Sequence, residues 1–229
     1  MAASERLLVL EGQVSALRES VRVARDLSAG EEEVQIALWD AFAVRMQLLA
    51  VERGFTTSYF RRCPKDYYEM SLEQRRALLG AESVAQLCKS VVFENSRWPE
   101  YSSKFGVSDP FSWTYPRYVV MVVQYIRKLD TDGAARMLAA RSSELSNEKV
   151  PRAAFNLRLA EDVETLTSYG PNAVTLLGTM VQRMPTIVSK HISRLDSIWL
   201  GGGQVDLKWH VGVSDLIQTV RPFLGDVAI

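Results

Sequence analysis

The sequence predicts a mixed α+β domain whose sheet is mainly antiparallel and is surrounded by helices. The first observation is that β-strand patterns occur in consecutive pairs, as hairpins, with helical patterns between the pairs. The second is composition: the 229 residues are 47% hydrophobic and 24% charged, which is typical of a globular protein with a sizeable core. We therefore expect one large domain, residues 31–229, preceded by a separate N-terminal segment, residues 1–30.

The N-terminal segment has the hydrophobic spacing of a coiled-coil helix. Its apolar positions follow one another at intervals of three and four residues: Leu7, Leu10, Val14, Leu17, Val21 and Ala24. A helix this short is only marginally stable in water by itself, so its apolar stripe must pack on another surface. Two interpretations are equally open. The helix folds back on its own domain, or residues 4–28 form a coiled coil with another chain, either a second copy or a different protein.

Within the domain, helices are predicted from capping signals and apolar stripes, and strands from β-branched runs bounded by turn residues. The capping box Ser71-x-x-Gln74 and the terminal Gly80 mark the clearest helix. The predicted helices are Glu31–Gly54, Ser71–Gly80, Asp130–Ala140, Glu161–Thr167 and one that starts at Gly212. The predicted strands are Phe55–Arg61, Ala85–Glu94, Tyr118–Ile126, Ala154–Leu159, Pro185–Ser189 and the hairpin Ile198–Lys208.

A long aromatic insertion, residues 95–118, separates two of these strands and also carries basic residues. Surfaces of this composition can stack unpaired nucleic-acid bases. The alternative is that most of the rings cover the sheet, which is the interpretation that we favour from the sequence.

Composition excludes several classes of function. The formal net charge is zero, which argues against a general polyanion-binding protein. There are two cysteines and two histidines, without the His-x-x-x-His spacing, and this predicts no zinc hydrolase and no metal site. No apolar run approaches the roughly 18–20 residues of a membrane span. We expect a soluble cytoplasmic protein with no membrane contact.

Lys89 is the first candidate for chemistry. In the strand Leu87–Phe93, alternation places Lys89 on the same face as the apolar Leu87 and Val91. Such a cation either extends past a sheet edge into water or points into a cleft and holds an anion. Cys88 alternates to the opposite face, so we expect its thiol to be buried and inert.

The stretch Leu166–Val188 is the second candidate. A helical segment runs into the turn Gly170-Pro171-Asn172, an apolar run stops at Gly178, and the strand Pro185–Ser189 follows. Gly-rich turns of this kind converge backbone N–H groups on one point and bind anions or developing oxyanions.

This stretch resembles the signature of the YbaK/prolyl-tRNA-editing family, whose members deacylate mischarged aminoacyl-tRNA. The family pattern is roughly Gly-Tyr-x-x-Gly-Gly-x-Ser-Pro-hydrophobic-Gly, followed by a Leu-Pro-x-hydrophobic strand. The matching positions are Tyr169, Ala173, Val174, Thr175, Leu177 and Gly178, with Met184–Ile187 for the strand. Two positions depart from it: Asn172 and Leu176 stand where the family has the Gly and Pro of its Gly-x-x-x-Pro core. The resemblance runs from about Gly54 to the C-terminus and is to a eukaryotic-type member with an N-terminal helical extension.

The resemblance implies an editing domain with a mixed sheet or open barrel and no cofactor. It implies that Lys89 orients the terminal adenosine of tRNA and that backbone amides around Gly170, Asn172 and Ala173 act on the scissile ester. The remaining implied substrate-binding residues are Tyr169, Thr175, Leu176, Gly178 and Gly202.

The function so implied is hydrolysis of a small amino acid, such as Ala or Cys, from the 3′ end of tRNA for proline. The alternative is a non-catalytic tRNA-binding or scaffold subunit of a multi-synthetase assembly, in which the altered core has lost hydrolysis. In that case residues 4–28 would dock the domain on an aminoacyl-tRNA synthetase complex. An open loop beside Lys89 favours the enzyme, whereas a collapsed loop filled by Leu176 favours the scaffold.

Overall fold

The computed structural model describes residues 41–55 and 57–229. The helices of this part are α1 (Ala41–Glu52), α2 (Leu72–Leu79), α3 (Trp98–Tyr101), α4 (Thr131–Ser146), α5 (Val163–Thr167), α6 (Thr179–Arg183) and α7 (Val213–Val220). The strands are β1 (Tyr59–Arg62), β2 (Cys88–Asn95), β3 (Tyr118–Gln124), β4 (Leu157–Leu159), β5 (Thr186–Ser189), β6 (Ser197–Gly201), β7 (Leu207–Gly212) and β8 (Phe223–Gly225).

The strands form two sheets that do not close into a barrel. One has three strands in the order β1-β7-β6, and the other has five in the order β4-β2-β3-β5-β8. The pairs β1–β7, β6–β7, β2–β3 and β2–β4 are antiparallel, while β3–β5 and β5–β8 are parallel. An isolated bridge between Leu87 and Trp199 joins the sheets. The predicted α+β class with a mixed, mainly antiparallel sheet is confirmed.

Strand β3 is the centre of the core because both of its faces are covered. Val120 and Val122 point to one hydrophobic cluster, and Val119, Met121 and Val123 point to the other. All five side chains are inaccessible to solvent. The first cluster also contains Val174, Leu176 and Leu177 of the 169–178 loop and residues of the three-stranded sheet, so the loop shares its core with both sheets.

Helix α2 begins and ends where its capping residues predict. The Ser71 hydroxyl accepts a hydrogen bond from the backbone amide of Gln74, and the Gln74 side-chain oxygen accepts one from the backbone amide of Ser71. Gly80 adopts a left-handed conformation (φ 67°) that ends the helix. These signals are local, so they act whatever the tertiary context.

The aromatic insertion mostly covers the sheet. Tyr115 is fully buried, and Trp98, Tyr101 and Phe105 pack against the core cluster that contains it. Trp113 is the exception, with 37% of its surface exposed. The covering interpretation therefore describes most of these rings.

Three elements were absent from the sequence prediction: the short helices α3 and α6 and the edge strand β8. The predicted helix Glu31–Gly54 is represented by α1, which ends at Glu52. The predicted N-terminal helix, residues 4–28, lies outside the described residues. The domain boundary near residue 31 stays a prediction.

Candidate functional site

A cavity of about 750 Å³ lies between β2, the segment that leads into α5, and the 169–178 loop. This volume suits a small-molecule ligand or the end of a larger one. Its lining residues are Tyr68, Cys88, Lys89, Ser90, Val91, Val92, Tyr125, Leu159, Ala160, Glu161, Asp162, Val163, Glu164, Thr165, Pro171, Asn172, Val174 and Gly201. Lys89 and Asn172, which the sequence analysis singled out separately, thus line the same cavity.

Lys89 lies on β2 with its side chain half-buried. Its Nζ sits 5.6 Å from the centre of the Tyr125 ring, within reach of a cation–π interaction. Among the described residues, no carboxylate forms an ion pair with Lys89. A half-buried ammonium with an aromatic neighbour and no anion is available to an anionic ligand.

An acidic wall, Glu161, Asp162 and Glu164, faces the same cavity. All three side chains are exposed, and none forms an ion pair with another described residue. The cavity therefore combines a cation on β2 with carboxylates on the segment entering α5 and in its first turn. Such a pair of walls suits a ligand with both a negative and a positive group. The sequence analysis treated this acidic run as a helix start and missed its position.

The turn Gly170–Ala173 has the features of a type II β-turn. Pro171 is at the second position, Asn172 at the third has φ 63°, and the amide of Ala173 donates to the carbonyl of Gly170 at 3.1 Å. Asn172 thus keeps the left-handed conformation that the family's glycine would permit. The Ala173 amide donates within the turn, so in this structure its hydrogen bond goes to the chain itself.

Two hydrogen bonds from other elements hold this turn. The Tyr68 hydroxyl donates to the carbonyl of Asn172 at 2.9 Å, and the amide of Gly203 donates to the carbonyl of Ala173 at 3.0 Å. Gly203 has φ 97°, a conformation that favours glycine. The loop is therefore anchored at two consecutive carbonyls.

The cavity-lining loop residues Asn172 and Val174 have amides with no hydrogen-bond acceptor in the described part of the chain. Because a trans peptide is planar, the Val174 amide points away from the Gly203 anchor that holds the preceding carbonyl. These two amides are the candidate oxyanion donors. The sequence analysis included Asn172 among the catalytic residues, whereas it gave Val174 only as a position that matches the family signature.

Leu176 does not fill the cavity. Its side chain is 2% exposed and packs in the core cluster with Val92 and Met184. Thr175 is fully buried, and its hydroxyl has no partner within the described residues. The loop is open beside Lys89.

Tyr169, Gly178 and Gly202, which were predicted to bind substrate, are not among the lining residues of the cavity, and neither is Gly170, which was predicted to be catalytic. A Cβ on Gly178 would lie 2.5 Å from the Tyr169 ring, so these two residues pack against each other. Gly202 donates its amide to the carbonyl of Leu207 in the β6–β7 hairpin. Gly170 has open space around its Cα, because a methyl group added there would meet no atom within 4 Å.

Behind the cavity lies Lys208, a buried lysine on β7 that sequence reasoning missed. It is 3% exposed, and its Nζ donates to the Tyr68 hydroxyl and to the Val205 carbonyl, each at 2.8 Å. Burial lowers its pKa from 10.5 to about 8. Tyr68 is 140 positions away in the sequence, so no local pattern could reveal the pair.

No cysteine supplies a nucleophile here. Cys88 is in the cavity wall, but burial raises the pKa of its thiol well above the ordinary value, so it stays protonated. Burial raises the pKa of Cys63 to about 11. No histidine is among the cavity's lining residues. In residues 41–55 and 57–229, no group of three or more His, Cys, Asp or Glu side chains is placed to hold a metal ion.

The helices of the described region include none that is both long and apolar enough to span a bilayer. This finding concerns residues 41–55 and 57–229.

The fold is shared with several solved structures. A proposed trans-editing enzyme for prolyl-tRNA synthetase is 18% identical and superimposes with a TM-score of 0.60, over 83% of this chain and 98% of that one. An epitope scaffold made by computational backbone grafting is 16% identical, with a TM-score of 0.57 over 83% and 98%. A hypothetical protein is 16% identical, with a TM-score of 0.54 over 81% and 99%.

No family model matches the chain, and no curated protein matches its sequence. At these identities the structural similarity shows the fold alone. The chain therefore has the fold of the YbaK-like editing domain, as the sequence resemblance predicted.

Proposed function

We propose that this protein is an aminoacyl-tRNA deacylase that acts in trans on tRNA carrying a wrong, small amino acid such as Ala or Cys on tRNA for proline. The observation that carries the proposal is the position of Lys89 in one cavity with a left-handed turn whose Asn172 and Val174 amides are unpaired in the described region. The structural similarity to a proposed trans-editing enzyme for prolyl-tRNA synthetase supports the same function.

Each wall of the cavity matches one part of an aminoacylated 3′ adenosine. Lys89 receives the phosphate next to that adenosine, because it is a cation without an anionic partner among the described residues. The carboxylates of Glu161 and Asp162 receive the ammonium group of the amino acid. The amides of Asn172 and Val174 then face the ester carbonyl.

The reaction is addition of water to the ester carbonyl carbon. The carbonyl oxygen becomes an oxyanion, which the Asn172 and Val174 amides stabilise. Collapse of the tetrahedral intermediate breaks the bond to the ribose oxygen, which leaves with a proton as a hydroxyl, and releases the amino acid as a carboxylate. A free ribose hydroxyl of the substrate orients the attacking water, so the protein needs no side-chain nucleophile.

The test is deacylation of a panel of mischarged tRNAs by the wild type, Lys89→Met and a matched control, Lys149→Met. Lys149 is an exposed lysine away from the cavity. We expect the wild type and Lys149→Met to hydrolyse at least one small aminoacyl-tRNA and Lys89→Met to be inactive. All three should unfold at nearly the same temperature, because Lys89 has no ion pair to lose.

The non-catalytic alternative gives a different result in the same assay. If the wild type hydrolyses none of the mischarged tRNAs but binds tRNA through a surface that Lys89→Met weakens, the protein is a tRNA-binding subunit. The open cavity, with Leu176 packed in the core, favours the enzyme.

A further inference from the structure

A lysine with an unusual environment lies directly behind the catalytic turn. Lys208 is almost completely buried, and no described carboxylate pairs with it. Its Nζ lies 4.6 Å and 4.4 Å from the ring centres of Tyr67 and Tyr68. A buried cation without an anion costs free energy, and an apolar side chain of similar length would avoid that cost. Core packing alone therefore does not explain a lysine at this position.

The hydrogen bonds of Lys208 lead to the turn by two routes. On the first route, its Nζ donates to the Tyr68 hydroxyl, which in turn donates to the Asn172 carbonyl. On the second route, its Nζ donates to the carbonyl of Val205, in the hairpin connection that also carries Gly203. The Gly203 amide holds the next carbonyl of the turn, that of Ala173.

These anchors determine where the loop amides point. In a planar trans peptide the C=O and the following N–H point in opposite directions. Fixing the Asn172 carbonyl therefore directs the Ala173 amide towards Gly170 and closes the turn. Fixing the Ala173 carbonyl directs the Val174 amide the opposite way, leaving it without a protein acceptor in the described region.

We propose that Lys208, acting through Tyr68 and through the hairpin that carries Gly203, is a positioning residue that holds the Asn172 turn in the form that presents its amides to the ester. The proposal rests on the proposed deacylase function for its catalytic part. Lys208 is not a lining residue of the main cavity, so it acts on the reaction only through these neighbours.

On the first route, Tyr68 is the residue that connects Lys208 directly to the turn. Its main chain is fixed independently, because Arg75 donates to the Tyr68 carbonyl and its guanidinium lies 5.2 Å from the Tyr68 ring centre. Removing only the hydroxyl should therefore leave the ring in place. Asn172 is exposed, so water can solvate its carbonyl after the hydroxyl is lost.

The experiment compares Tyr68→Phe, Lys208→Met and their double variant with the matched control Tyr67→Phe. Tyr67 is a buried neighbouring phenol that also faces Lys208, but its hydroxyl makes no hydrogen bond to a described residue of the loop. The measurements are kcat and KM on the mischarged tRNA that the wild type hydrolyses, and hydrogen exchange of the Ala173 amide.

We expect Tyr68→Phe and Lys208→Met each to lower kcat by about tenfold to a hundredfold, with KM unchanged within about twofold, because misplaced amides weaken transition-state binding. The Ala173 amide should exchange faster in both. The double variant should lose less than the product of the two single losses, because the two residues share the route through Tyr68 while Lys208 also acts through the hairpin. Tyr67→Phe should behave as the wild type.

Three results would overturn the proposal: wild-type kcat and exchange in Tyr68→Phe, an equal loss in Tyr67→Phe, or losses that multiply in the double variant. A wild type that is inert towards every mischarged tRNA refutes the deacylase function instead. In that case the Ala173 exchange rate still decides whether Lys208 and Tyr68 hold the turn: faster exchange in the variants supports it and unchanged exchange refutes it.

Discussion

The substitution Gly201→Ala tests whether the exact placement of the loop matters for catalysis. Gly201 ends β6 and lines the cavity directly beneath the loop. A Cβ at this position would lie 2.6 Å from the carbonyl oxygen of Val174. Ordinary van der Waals contact begins at 3.4 Å, so one of the two backbones must move by about 0.8 Å. The loop is the part that moves, because β6 is fixed by its ladder to β7.

A displacement of this size has two measurable effects. Misplacing catalytic groups by roughly 1 Å can cost about a hundredfold in rate, so we expect kcat to fall by about that factor. Overpacking of a core costs about 1–3 kcal/mol of unfolding free energy. For a domain of this size the thermal midpoint should fall by about 2–4 °C for each kcal/mol.

The assay measures kcat and the thermal midpoint of Gly201→Ala beside the control Gly212→Ala. Gly212 ends the neighbouring strand β7, and a Cβ there would meet no atom closer than 3.7 Å. The control should keep kcat within about twofold of the wild type, because no backbone has to move. Wild-type kcat in Gly201→Ala, or an equal loss in both variants, would refute the link between loop position and rate.

Three further predictions concern the loop core, the buried lysine and the N-terminal segment. Asn172→Gly should keep or raise deacylation of Ala- or Cys-charged tRNA, since glycine adopts φ 63° without strain. Leu176→Pro removes a buried side chain, so it should lower the free energy of unfolding by about 2–5 kcal/mol, which thermal unfolding would measure. Lys208→Met should be more heat-stable than the wild type at pH 7, and this difference in stability should shrink from pH 8 to pH 10.5. The pKa of Lys208 is about 8 in the folded protein and 10.5 in the unfolded chain, so the cost of burying its charge disappears over that interval. A pH-independent difference would contradict this. Deletion of residues 1–28 should leave a folded domain that is active on free mischarged tRNA, but its native mass in solution should change or a partner protein should no longer bind. If the truncated protein unfolds, the hypothesis that this segment associates with another chain is refuted.

The parts of the fold that sequence predicted are those with local signals. Ser71 and Gly80 mark the ends of α2 because capping involves residues within a few positions of each other. The strand predicted at Ala85–Glu94 is found as β2, Cys88–Asn95. Helix α6 was missed because its five residues are too few for a periodic pattern. The edge strand β8 was missed because its three residues pair only with β5, far away in the sequence.

The candidate site likewise contains features that local sequence predicts and features that only the fold reveals. The Asn172 turn was predictable because Pro and Asn in succession match the φ preferences of a type II turn. The burial of Lys208 was not, because it depends on Tyr68 from a distant segment of the chain. The acidic residues around Glu161 were visible in the sequence, but the fold was needed to place them in the cavity that Lys89 also lines.

The two departures from the family signature affect the loop differently, and together they explain why the turn needs outside support. Asn172 preserves the left-handed turn but, unlike glycine, adopts it at some energetic cost. Leu176 gives up the fixed φ of a proline and gains a side chain that binds the loop to the core. A loop that has lost the conformational restriction of proline must obtain its rigidity from contacts with other elements. The Tyr68 and Gly203 hydrogen bonds supply those contacts at the two carbonyls next to the candidate donor amides. On this argument, a chain that restored the glycine and proline would depend less on Lys208, and the effect of Lys208→Met on kcat should be smaller in that background.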